Sequence, residues 1–540
     1  LILLFAGPVR AELPELRDAI QPMEEGVPQV AVMRLRALLG GDLAAEDRTA
    51  ASAKLGEALL AAGETEEALK VLQDPALLVL PATRFWCAQA LAALERWAEA
   101  LPLYQQVAAA AASPFRSRAI LGQAEALRAL GRLDEALRMF ALLFSDAQWK
   151  DRAELRSVEL LLEKRDTAGA RRILDKSRPA SLADKKEKRF LQGRIEAQLN
   201  HRERALELFQ TILRRPEGAS RAVLIATLCA VVEVNLRLKT PESGDDPLED
   251  FVEHHPTDPG LSTIFHKLDQ LYRAQRTPSN QELRRWAADP IQPRRSLAQW
   301  YLARSELRAG RRENAQKIFG ELRDGRPQLP ALAEGLLEFA QLELDNRRFG
   351  EALATLEAAR TLSQAPALLE RINFCIGRTY YQARHFEAAA ETFEKVAHAS
   401  PHLEAESLFN ASLASLQLSD QARFLADFHE LGQSGGNEDA RGDLSLEEGL
   451  TQAAQGNKKA KETLQAFLQA FPRHQRISEA WVALAELAFH SVPRDLEAAR
   501  KNLASARETE PNSHASERAD YLVIWIEDAT PNAAAAKVIE

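Results

Sequence analysis

Ile376-Gly377, then Tyr380, then Ala389, Phe393, Val396 and Pro401: the spacing within this stretch decides the fold. Twelve residues lead from Gly377 to Ala389, four more to Phe393, three to Val396 and five to Pro401. Apolar residues recurring at three and four positions draw one stripe on each of two helices, before and after the polar break at Arg384-His385. A small residue on each stripe lets the helices approach closely. The large ring four residues later fills the space between that pair and the next helix.

The same form recurs along most of the chain. Gly56/Ala68/Leu72, Ala88/Ala100/Tyr104, Ala124/Ala136/Phe140, Gly193/Ala205/Phe209, Ala303/Ala315/Phe319 and Ala340/Ala352/Leu356 all keep it. Weaker copies centre on Ala170, Ala422, Ala460 and Ala499. Successive copies from Ala68 to Ala205 lie 32, 36, 34 and 35 residues apart, and from Ala315 to Ala422 they lie 37, 37 and 33 apart. Glycine in Ala62-Gly63-Glu64, Leu130-Gly131-Arg132 and Ala309-Gly310-Arg311 falls where a helix end needs positive φ. One sustained period argues for stacked repeats over an ordinary bundle rich in Ala and Leu.

With Gly377 at position 8, the quoted residues occupy positions 11, 20, 24, 27 and 32 of a known consensus. The chain resembles the tetratricopeptide repeat family. That resemblance implies an all-α fold, a right-handed superhelical α-solenoid of helix-turn-helix repeats, whose first helices line a concave groove. Carried onto this sequence, the groove positions are Trp300, Arg304, Leu307 and Arg308 in one repeat, and Leu337, Gln341, Leu344 and Asp345 in the next. In the third they are Arg371, Phe374, Arg378, Tyr381 and Gln382. The expected peptide-binding set is therefore Trp300, Arg304, Arg308, Gln341, Arg371, Phe374, Arg378 and Tyr381. Arginine and aromatic side chains are the common anchors of protein interfaces. Trp300 and Phe374 would serve equally well as packing residues between helices. The Lys/Asn set with which chaperone-binding relatives clamp a terminal carboxylate is not reproduced.

Composition narrows the function. Ala, Leu, Glu, Arg and Gln dominate the 540 residues, and the net charge of −9 argues against wholesale binding to nucleic acid or anionic lipid. Two basic runs, residues 151–205 and 280–323, each carry a local excess of five positive charges, the first including Lys185, Lys186, Lys188 and Arg189. They lack the interleaved aromatics that single-stranded nucleic acid requires, or have them only in part. No apolar run nears the roughly 20 residues of a membrane span. Three widely spaced cysteines, Cys87, Cys229 and Cys375, make no metal or redox motif and read as buried thiols. Phosphate-binding, hydrolase and dinucleotide fingerprints are missing, and His254-His255 is a poor metal pair, so neither cofactor nor metal is expected.

Six boundaries follow. Residues 12–240 form a first array, and 241–296 a Pro-rich, acidic, irregular or degenerate repeat segment. Residues 297–430 form a central array, 431–445 a loop around Gly435-Gly436, 446–530 looser repeats, and 531–540 a tail. Leu1 to Phe5, then Gly7-Pro8 and Val9-Arg10-Ala11, read as the apolar region and cleavage site of a truncated signal peptide over residues 1–11. The expectation is a non-enzymatic scaffold of the bacterial periplasm or envelope whose partners are other proteins. Two alternatives stay open: a repeat module of a larger protein, and a cytoplasmic regulator.

Overall fold

The computed structural model describes residues 14–275, 279–434, 438–509 and 514–529. Among them are 29 α-helices, one 3-10 turn and no strand. Both the expected signal peptide and the tail over 531–540 lie outside the described residues.

The helices come in antiparallel pairs, and the chain divides into two units. The first begins with α1 (Pro14–Glu24) and α2 (Pro28–Leu39), then α3 (Ala45–Ala61) and α4 (Thr65–Leu72). Next come α5 (Pro81–Ala93) with α6 (Trp97–Ala109) and α7 (Arg116–Ala129) with α8 (Leu133–Ala141). α9 (Lys150–Glu163) pairs with α10 (Thr167–Lys176), and α11 (Leu182–Gln198) with α12 (Arg202–Leu213). α13 (Arg221–Leu238) runs through the 3-10 turn Pro241–Ser243 into α14 (Asp246–His254). The boundary between units falls within α15 (Leu261–Ala274).

The second unit continues with α16 (Gln281–Ala288), then α17 (Arg294–Arg308) with α18 (Arg312–Asp324) and α19 (Leu332–Asp345) with α20 (Phe349–Leu362). α21 (Pro366–Gln382) pairs with α22 (Phe386–Ala399), and α23 (Glu404–Leu418) with α24 (Gln421–Gln433). α25 (Glu438–Ala454) and α26 (Ala460–Ala470), then α27 (Ile477–His490) and α28 (Leu496–Thr509), precede α29 (His514–Asp528). Within each unit a helix packs mainly on the next one, and first helices also touch the first helices of adjoining pairs. That pattern is an α-solenoid.

The spacing read from the sequence is the packing. Ala68, Ala100, Ala136, Ala170, Ala205, Ala315, Ala352, Ala389, Ala460 and Ala499 are all fully buried. A methyl group added at Gly56 would lie 2.4 Å from Leu72, at Gly193 2.3 Å from Phe209, and at Gly377 2.8 Å from Phe393. The weak copy at Ala422 is out of register, since Ala422 is exposed and Phe424 is buried in its place. Phe424 packs with Leu408 and Leu416 of α23, a helix that also buries Ser407, Ser412 and Ser415.

Most turns inside the pairs share one geometry. A residue with positive φ follows the first helix, and the next residue's N–H reaches back five positions to a carbonyl: Glu64 to Leu59 at 2.9 Å, His385 to Tyr380 at 2.9 Å. This Schellman closure satisfies carbonyls that the helix end leaves open. It recurs at Gly26, Gly63, Glu95, Gly131, Arg165, Asn200, Lys239, Gly310, Arg347, Arg384, Ser419 and Gly456.

The segment over 241–296, expected as irregular or degenerate repeat, and part of the loop expected over 431–445 are helical. Over 241–296, proline terminates nothing it should not: Pro247 stands in the first turn of α14, where its missing N–H is harmless. α14, α15 and α16 lie within this segment. Of the loop expected over 431–445, α24 holds the first residues and α25 starts at Glu438, with Glu438 and Asp439 in its first turn where negative charge suits the helix dipole. Asp495, read as part of an insertion, caps α28 by accepting from Ala498 N at 3.0 Å.

Candidate protein-binding face

The expected groove residues do stand on consecutive first helices, but they do different things there. Trp300 is only 4% exposed. Its ring presses on Gly335 of α19, where no Cβ could fit, and its Nε1 donates to Glu338 Oε2 at 3.2 Å. Arg304 pairs with the same carboxylate at 3.3 Å, and its guanidinium lies 5.7 Å from the Trp300 ring centre and 5.5 Å from that of Tyr301. Trp300 and Arg304 thus lock α17 to α19. Arg308 is exposed at the end of α17.

Farther along, the face opens. Gln341 and Asp345 of α19 and Arg378 and Gln382 of α21 line one cleft with Leu344, Arg347 and Phe349. Arg371 and Arg378 are exposed one face-repeat apart on α21, and between them Phe374 is half-buried, edge-on to Phe393 at 5.4 Å. Tyr381 is half-buried against Phe386 at 5.4 Å. Burial, and then the carboxylate of Glu447 on α25, push its hydroxyl pKa up.

Residue-by-residue reading of the sequence missed the acidic end of this face. Arg476, just before α27, binds Asp443 at 3.1 Å, Glu447 at 2.8 Å and Glu479 at 2.8 Å. Those hydrogen bonds hold its guanidinium firmly protonated. Two of its three partners lie 33 and 29 residues away, one repeat back, so only a register of both helices could have found them.

The first unit has a second recess that went unnoticed, lined by Phe85, Gln89, Trp97, Tyr104, Arg118, Glu125 and Trp149 among others. Arg118 stacks on Phe85 at 4.8 Å and Trp86 at 5.1 Å, and Gln89 donates to the Tyr104 hydroxyl at 2.8 Å. Burial raises the Glu125 pKa against the pull of Arg156 and Arg128. Its signal in the sequence is the adjacent pair Phe85-Trp86.

The basic run near α11 is not a continuous cationic surface. Lys188 donates to Ser177 O at 2.8 Å and Lys186 to Arg215 O, so two of its four cations tie down backbone carbonyls. Cys87 and Cys375 are buried and Cys229 half-buried. Burial pushes the Cys87 thiol up to about 11, well away from a reactive thiolate. No cluster of three metal-ligating side chains occurs among the described residues, and no described helix is long and apolar enough to cross a membrane.

A stacked array of helix pairs with a polar, aromatic-lined first-helix face is the architecture of repeat scaffolds. Residues 88–148 match the tetratricopeptide repeat family. Among solved structures the chain is similar to a chain of the Cut9–Hcn1 hetero-tetramer of APC/C, at 14% identity over 94% of each chain with a TM-score of 0.32. It is also similar to a chain of Naa15/Naa10 bound to HypK-THB, at 13% identity over 96% of this chain and 97% of that one, with a TM-score of 0.28. No curated protein matches it in sequence.

Proposed function

We propose that this chain is a non-catalytic scaffold that binds segments of other proteins on the first-helix face of its second unit, in the bacterial periplasm or envelope. The observation that carries the binding reading is the open stretch from Gln341 to Tyr381. Arg371 and Arg378 are exposed there beside two half-buried rings, and neither guanidinium is held by a carboxylate among the described residues. Planar guanidinium groups pair two-pronged with carboxylates, and rigid rings give contact area with few rotamers to freeze. The preferred segment carries acidic and apolar side chains.

Replacing both Arg371 and Arg378 with Ala tests this. A fluorescent peptide of mixed Glu and Leu should bind the variant about tenfold more weakly, equivalent to roughly 1.4 kcal/mol, with circular dichroism unchanged. Equal affinity in the folded variant places the site elsewhere. The export reading rests on residues 1–11 alone. It requires the natural mature protein to begin at Glu12, and N-terminal sequencing that finds Leu1 retained defeats it.

A further inference from the structure

We infer that the segment bound by the second unit carries its charges in two blocks, acidic over α21 and basic over α25 and α27, and lies on the face in that one direction. This rests on the binding reading above and adds the order of charges in the ligand.

The face is electrically two-ended. The α19–α21 cleft is lined by Arg347 and Arg378, with Asp345 as the acid among its lining residues, and Arg371 is exposed seven residues earlier on α21. Around the start of α27 stand Asp443, Glu447 and Glu479, and one guanidinium, Arg476, serves all three. Each end is left with about two charges of its own sign. The arginines at one end are exposed and the carboxylates at the other half-buried, so the two ends present fields of opposite sign to a ligand.

Both ends stand on one run of first helices: α23 lies between α21 and α25 in the chain, and α25 packs on both α23 and α27. Glu447 of α25, one of the three carboxylates on Arg476, also acts electrostatically on Tyr381 at the far end of α21. A single extended segment can therefore touch both ends. Its middle would meet Tyr381, at the end of α21 nearer α25's Glu447, which calls for apolar residues between the blocks. A ligand of uniform charge gains at one end and is repelled at the other. One with alternating charges gains at neither, because like charges then face each end as often as opposite ones.

Two peptides of identical composition separate these cases in fluorescence anisotropy with the full chain. One has four Asp or Glu, then Leu-Pro-Leu, then four Lys or Arg; the other alternates the same charges around the same centre. The block peptide should bind at least tenfold more tightly, with the gap closing as salt rises. A photo-crosslinker at its acidic end should label α19 or α21, and one at its basic end α25 or α27. Arg371→Glu with Arg378→Glu should abolish the preference, with circular dichroism confirming the fold. Equal affinity for both peptides, or crosslinks scattered along the face, overturns the block order while leaving the face as a binding site. Binding of neither, nor of the mixed Glu and Leu peptide, overturns the binding reading with it.

Discussion

Arg384 sits at φ 62°, in the left-handed region where an L side chain crowds its own carbonyl. The turn demands that conformation and the residue tolerates it. Arg384→Gly should relieve the crowding and raise stability by roughly 0.5–1 kcal/mol, part of the gain being offset by the freer unfolded chain. Chemical denaturation gives the number, and an unchanged midpoint would show that the turn is not strained. A second residue, Asp427 of α24, couples the fold to pH. It is 5% exposed, takes its Ser415 contact at 3.5 Å, and faces Glu394 and Glu430. Arg423, the nearest cation, is already bound by Glu394 and Glu387 at 2.9 Å each. Burial first, and Glu394 next, push the Asp427 pKa up to about 7. A free aspartate titrates near 3.9, so the fold favours the protonated form. The stabilisation is complete below about pH 4 and drains away as pH climbs through 7. Asp427→Asn should be the more stable protein at pH 8 and show a flatter melting profile from pH 5 to 8, by something on the order of 1–3 kcal/mol at the alkaline end. A wild-type profile already flat across that range would remove Asp427 from the account.

Between helices, closeness is the controlling quantity. Gly377 of α21 leaves room for Phe393 of α22, and even a methyl group there would come within 2.8 Å of the ring. Gly377→Ala improves helix propensity yet must displace a fully buried ring, so packing outweighs propensity and a net loss of about 1–3 kcal/mol is expected. Because repeats touch mainly their neighbours, amide exchange should quicken in α20 to α23 and stay unchanged in α27 and α28. Uniform quickening across the second unit would mean that the array behaves as one cooperative block.

Across the molecule, what the sequence disclosed was whatever repeats in residue size. Small residues facing large ones at fixed spacing located the helix pairs and their buried alanines, because that contrast is chemical and visible in one dimension. The register failed at Ala422, which is exposed while Phe424, two residues on, is buried. Proline-rich 241–296 looked irregular because prolines at helix starts count the same as prolines that break helices. Seven of these twelve left-handed turn residues are not glycine, so most of the turns sent no glycine signal. At the candidate face, the family resemblance put Gln341, Arg378 and Tyr381 on one surface. It could not show that Trp300 and Arg304 lock α17 to α19, or that Arg476 gathers three carboxylates, since both depend on which neighbour each head group meets. The shared turn geometry also says how such a chain lengthens and shortens. Cut after one left-handed residue and resealed after another, the backbone meets itself in the same conformation, whatever side chains stand at the joint. Losing residues 348–384 would seat His385 directly after Arg347 and hand α22 to α19, whose Ala340 stands where Gly377 stood. Whole repeats can thus enter or leave this protein as interchangeable lengths, while a loss of ten residues from inside one has no matching ends to join.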